Sequence, residues 1–194
     1  MAIDIVCEGW ELVADGAELY PDDLPTEWRL SYFANALGAV YLPAGGWLDQ
    51  PEQTLSDWHD DVHSGFRFFL ECAPDLTDTS HAVIRARRAL GDRFAGLVCD
   101  ELPCSLIAGD ETPWWHRVED VDALGRAANA WAGAADGLAL HQPASGDEHP
   151  RRIRQRLEAL RRLCGPIPLL LVLDPPCAAT VLRWRTIAEL LGWP

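Results

Sequence analysis

Six short apolar runs, each followed by a segment of helical periodicity, constrain this chain more than anything else in its sequence. The runs are Ile3–Cys7, Ala39–Leu42, Phe66–Cys72, Gly96–Glu101, Gly137–Gln142 and Pro168–Asp174. They are apolar without clean alternation, the pattern of strands covered on both faces in a parallel sheet. Between them, Trp28, Tyr32, Phe33, Ala36 and Leu37 form one apolar stripe that stops at Gly38. Val83, Ala86 and Leu90 stop at Gly91, and Ile153, Leu157, Leu160 and Cys164 stop at Gly165. Glycine at the end of a helical stripe is a common terminator. About six β-α units with parallel connections give a reduced TIM-type barrel or, alternatively, an open parallel sheet. With 194 residues, one domain over 1–194 is expected.

The connections are unequal. Helix-to-strand links such as His63–Gly65 are short, whereas the strand-to-helix links Glu8–Leu24, Leu102–Glu119 and Gln142–His149 are long. In parallel α/β folds the C-terminal ends of the strands carry function and the opposite ends carry stability. The long loops therefore place a working face at the C-terminal rim.

Composition narrows the function classes. The net charge is −14 and lysine is absent, every basic side chain being arginine apart from histidine. Schiff-base and P-loop lysines are thereby excluded, and so acidic a surface disfavours nucleic acid. No apolar stretch is long enough to span a bilayer, and no basic leader precedes Ile3. A cytoplasmic protein with no membrane partner is expected. The six cysteines sit mostly in apolar runs and include no CxxC pair, so they read as small buried hydrophobes rather than a disulfide framework or a zinc site.

The order of local patterns resembles the YecE-like family, a group of TIM-type barrels whose activity is not established. Ile3-Asp4-Ile5-Val6-Cys7-Glu8-Gly9-Trp10 is similar to its first strand with a Thr-Ser-Gly-Trp motif. Leu19-Tyr20-Pro21 through Leu24-Pro25 and Arg29-Leu30-Ser31-Tyr32-Phe33-Ala34 resemble its next stretch. Gly65-Phe66-Arg67-Phe68 with Ala73-Pro74, Leu90-Gly91-Asp92-Arg93 with Glu101-Leu102-Pro103, Leu138-Ala139-Leu140-His141 and Leu171-Val172-Leu173-Asp174 follow in family order. The resemblance implies a shortened, divergent member lacking the family's middle section. Polar strand-end residues are largely replaced: Val40-Tyr41-Leu42-Pro43 stands where the family tends to read Val-Glu-Ile-Asn, and Glu71 or Cys72 stands in place of a lysine.

Glu8, Glu71, Asp100, Glu101, His141 and Asp174 fall at predicted strand ends. Such a ring can hold a divalent cation or act as an acid/base set; equally, it can simply solvate strand ends. Asp100 and Glu101 are adjacent, so only one faces inward. Glu101, His141 and Asp174 are the candidate catalytic residues. Trp114, Trp115 and His116 lie in a segment read as a long loop, where they would form a lid or stacking platform or fold over the mouth. Trp10 and Trp47 follow strand ends and join the candidate binding set with Glu8, Glu71 and Asp100. His59-Asp60-Asp61-Val62-His63 resembles HExxH only superficially, on the stability face. The arginines from Arg151 to Arg162 read as the solvent face of an amphipathic helix.

Loss of rim polarity favours a non-catalytic binding or interaction module, with an unidentified small molecule or protein as partner. The alternative is a small hydrolase or isomerase, metal-assisted or acid/base, acting on a polar small molecule at the C-terminal face. Which cofactor, if any, such chemistry uses is left open by the sequence. An incomplete barrel leaves an open flank, across which a homodimer is expected.

Overall fold

A computed structural model describes residues 2–10, 19–72, 76–100, 112–131, 133, 135–174 and 177–193. Seven parallel strands build one sheet: β1 (Ile3–Cys7), β2 (Ala39–Leu42), β3 (Arg67–Glu71), β4 (Phe94–Cys99), β5 (Trp114–Val118), β6 (Gly137–Pro143) and β7 (Leu169–Asp174). Their order is β1-β7-β6-β5-β4-β3-β2. The two end strands meet at their C-terminal ends, where Glu8 bridges to Tyr41 and the Gly9 amide donates to the Tyr41 carbonyl at 2.9 Å. The sheet is therefore a nearly closed barrel. Around it lie α1 (Arg29–Ala36), α2 (Ala44–Trp47), α3 (Glu52–Asp61), α4 (Leu76–Leu90), α5 (Val121–Asn129), α6 (Pro150–Cys164) and α7 (Ala178–Leu190).

Six of the strands coincide with the six apolar runs, and the seventh corrects the sequence reading. Trp114, Trp115 and His116 do not stand on a lid loop; they belong to β5, paired with β4 through Val98↔Trp115 and with β6 through His116↔Leu138. The strand is fixed at its start by Asp136, whose carboxylate accepts from the Trp114 amide at 2.9 Å while its own amide donates to the Trp114 carbonyl at 2.8 Å.

Strand alternation divides the apolar side chains into two cores. Val6, Ala39, Tyr41, Phe69, Val98, Trp115, Ala139, Leu170 and Val172 form a compact inner cluster filling the barrel. Trp115 meets Phe69 edge to face, with ring centroids 5.4 Å apart. Gly137 makes room for it: a Cβ there would collide with the Trp115 ring and lie 2.8 Å from the Pro168 carbonyl. The larger outer core joins the barrel to its helices and contains Trp47, Trp184, Phe33, Phe66, Phe68 and Leu55. Full burial of such side chains contributes roughly 1.5–3 kcal/mol apiece.

Sequence also sets the helix starts. Asp120 accepts from the Ala123 amide at 2.6 Å and begins α5, as a side-chain N-cap does. His149 Nδ1 accepts from the Arg151 amide ahead of Pro150 at the first turn of α6, and Gly165 ends that helix at φ 59°, a conformation glycine adopts without a Cβ penalty.

Candidate active site at the C-terminal mouth

Inward positions at the strand ends carry Glu8, Tyr41, Glu71, Arg117, His141 and Asp174, with Asp100 just beyond β4. The centre is Arg117, on β5. Its Nη2 donates to Glu71 Oε1 at 2.7 Å and to the Tyr41 hydroxyl at 3.1 Å, and its Nε lies 3.5 Å from Asp100 Oδ1. Glu71 is held twice more: its Oε2 accepts from the Ala44 amide at 2.8 Å, and its carbonyl accepts from Trp47 Nε1 at 3.0 Å. Short helix α2 thus folds over the end of β3 and orients the carboxylate. The His141 ring stands edge-on to Tyr41 with centroids 5.0 Å apart.

Protonation follows from these contacts. Burial works against the Glu71 charge, but the Ala44 amide and the Arg117 guanidinium outweigh it and hold the carboxyl below its usual range. Glu8 is pushed up by burial and then by the neighbouring charges of Glu71 and Asp174. Burial, and next the Arg117 charge, lower His141 against the opposing pull of Glu71, Asp174 and Asp100, leaving a neutral imidazole. Burial raises the Tyr41 hydroxyl and keeps it protonated.

Two atoms in this mouth are fully buried without a hydrogen-bond partner: His141 Nε2 and Arg117 Nε. Trp115 Nε1, deeper in the barrel, also lacks a partner, and the nearest acceptor to Arg117 Nε is the Asp100 carboxylate at 3.5 Å. A neutral imidazole beside a guanidinium can take a proton from a bound molecule while the cation stabilises the charge that develops. Among the described residues, no group of three His, Cys, Asp or Glu side chains is placed to hold a metal ion.

The expected site residues divide accordingly. Glu8, Glu71, Asp100, His141 and Asp174 share the mouth, whereas Glu101 lies outside the described residues. Trp10 is buried, edge-on to Trp58 at 5.0 Å and to Phe68 at 6.4 Å. Trp47 is fully buried and acts on the mouth through the Glu71 carbonyl. Trp115 fills the barrel, and Trp114 lies on the helix-facing side near His116. His59 and His63 lie apart from the mouth, His63 Nε2 meeting the Ala34 carbonyl at 3.0 Å. Arg117 and Tyr41 were not among the expected site residues. The signal for Arg117 was alternation with Trp115, hidden when the segment is read as a loop.

Residues 5–171 match the family described as "Protein of unknown function DUF72". The chain belongs to the DUF72 family. A DUF72 family protein from Thermotoga maritima is similar in structure, with TM-score 0.60 and 10% identity over 99% of this chain and 100% of that one. Another from Enterococcus faecalis gives TM-score 0.59 and 8% identity over 100% and 98%. Beyond DUF72, phosphoribosyl anthranilate isomerase from Thermotoga maritima gives TM-score 0.53 and 11% identity over 96% and 98%. The DUF72 fold is thus shared, at low identity, with an enzyme acting on a small molecule. No curated protein matches the sequence. No helix among the described residues is long and apolar enough to cross a membrane.

Proposed function

We propose that this DUF72 protein is an acid/base enzyme, an isomerase in reaction type, that moves a proton on a polar small molecule bound in the C-terminal mouth. The observation that carries this reading is the His141 imidazole, kept neutral by burial and by the Arg117 charge, in the same mouth as that guanidinium. A binding module without chemistry, the expectation from the replaced rim residues, has no need of a neutral imidazole kept unpaired beside a cation. Tyr41 and Glu71 hold Arg117 in place, so its charge is in position before the substrate arrives, as transition-state stabilisation requires. His141 removes a proton from carbon next to a carbonyl and returns it to the neighbouring atom. Arg117 faces the oxygen on which negative charge accumulates. Asp174 and Glu8 stand at the ends of the neighbouring strands β7 and β1 on the same rim and orient polar groups of the substrate. The low-identity likeness to an isomerase barrel supports this reading over the binding-module one.

The test is exchange of solvent deuterium. The protein is incubated in D2O with a panel of small hydroxy-ketones, hydroxy-aldehydes and keto acids, and the hydrogens next to the carbonyl are followed by proton NMR. The expected result is exchange above the buffer rate for at least one member, reduced about 100-fold or more by His141→Asn, as loss of a general base does. Exchange indistinguishable from buffer across the panel, or unchanged in His141→Asn, overturns the proposal.

A further inference from the structure

We propose that Cys72 and Cys99 form an oxidisable thiol pair in the wall of the mouth, closing to a disulfide under a hydroperoxide and reopening under a thiol reductant. The strand register sets them side by side. Leu70 pairs with Leu97 and Glu71 with Val98, and the Cys72 amide donates to the Val98 carbonyl at 2.9 Å, so the next rung joins Cys72 to Cys99. Both point away from the barrel interior, into the outer core, so the two side chains stand on the same face of neighbouring strands. Adjacent strands run about 4.7–4.9 Å apart, inside the Cα separation of roughly 4.4–6.8 Å that a disulfide spans. Both are free thiols.

The pair differs from the remaining described cysteines. Cys7 is fully buried, and burial with the neighbouring Cys177 pushes its thiol up to about 12. Burial also raises Cys164, to about 11. Cys177 is occupied capping α7, accepting from the Thr180 amide and hydroxyl. Among the described cysteines, Cys72 alone is half-buried. The neighbouring Cys99 thiol outweighs burial and, with the Arg117 charge, lowers the Cys72 pKa. Cys72, the more exposed of the two, is the attacking thiolate and Cys99, buried beside it, the resolving thiol, the division a redox pair needs.

The step balances. The Cys72 thiolate attacks one oxygen of the hydroperoxide, the O–O bond breaks, and the departing oxygen leaves as hydroxide or alkoxide and takes up a proton. Cys72 is then a sulfenic acid. The Cys99 sulfur attacks the Cys72 sulfur, the S–O bond breaks, and water leaves carrying the Cys99 proton. Two thiols are oxidised and one peroxide is reduced. The consequence reaches the mouth, because Cys72 follows Glu71 and Cys99 precedes Asp100, and both carboxylates face Arg117.

The test uses the full chain with Cys104→Ser, since Cys104 lies outside the described residues. Hydrogen peroxide is added to the folded protein, free thiols are titrated, and peptides are mapped without reduction. The expected result is loss of two thiols, a crosslink joining the Cys72 and Cys99 peptides, and full recovery with dithiothreitol. Adding Cys72→Ser, at a half-buried position that tolerates the change, abolishes the crosslink and slows thiol loss about tenfold or more. Retention of every thiol under peroxide, or a crosslink between any other pair, overturns the proposal.

Discussion

Glu71 and Glu8 stand in the same mouth and titrate in opposite directions because of what donates to each. Glu71 accepts from a backbone amide and a guanidinium; Glu8 faces two other carboxylates. Since the folded pKa of Glu71 is lowered, its charge adds stability that is present above the unfolded value and is lost as pH falls through the folded one. Glu71→Gln is expected to cost about 1–3 kcal/mol at neutral pH, at the lower end because the pair is partly solvated. Denaturant unfolding checks this, and the gap to wild type is expected to narrow on acidification below the usual carboxylate range. Trp47→Ala removes a fully buried indole and the donor to the Glu71 carbonyl. A loss of about 3–5 kcal/mol is expected in the same measurement.

At the scale of elements, β5 explains both the success and the failure of sequence reasoning. Strands β1, β2, β3, β4, β6 and β7 are legible because each is a compact apolar run. β5 contributes Trp-Trp-His-Arg-Val, with charge and imidazole inside the strand, and so reads as a loop. With β5 unread, Arg117 has no rim position, and the mouth looks like carboxylates around one histidine. The rim carboxylates themselves were legible from their place at the ends of apolar runs. Tyr41 sat in plain view, yet its hydroxyl matters only once Arg117 is opposite. The β5–β6 contact has a sharp test in Gly137→Ala, whose Cβ meets the Trp115 ring and the Pro168 carbonyl. Because a backbone atom cannot yield as a flexible side chain does, destabilisation of at least about 1–3 kcal/mol is expected by thermal or denaturant unfolding.

Over the whole molecule, the barrel is joined most weakly between β1 and β2, which bridge at their C-terminal ends. Toward the opposite end this seam holds an open cleft of about 230 Å³ lined by Asp4, Gly38, Arg67, Arg185, Glu189 and Trp193. Asp4 pairs with Arg67 across it. Burial nevertheless raises the Asp4 pKa, outweighing Arg67 and Arg185. A carboxyl with a raised folded pKa binds its proton more tightly when folded, so its ionisation costs stability as pH rises through the unfolded and then the folded value. Asp4→Asn is therefore expected to leave the melting temperature at pH 7 unchanged or higher, with the difference from wild type shrinking on acidification. A lower melting temperature at pH 7 would show that the ion pair outweighs the burial cost. Closing the sheet at the other end brings β1 and β2 together beside the mouth, so fold and site share one junction.

The mouth holds a neutral imidazole whose proton affinity is held down by burial and by Arg117. An NMR titration of the His141 ring, in wild type and in Arg117→Gln, tests it most directly. The expected midpoint in wild type lies below the ordinary histidine value of about 6.5, and it rises in Arg117→Gln as the neighbouring cation is removed. A wild-type midpoint at or above the ordinary value, or one indifferent to Arg117→Gln, would rule out a base held neutral by Arg117.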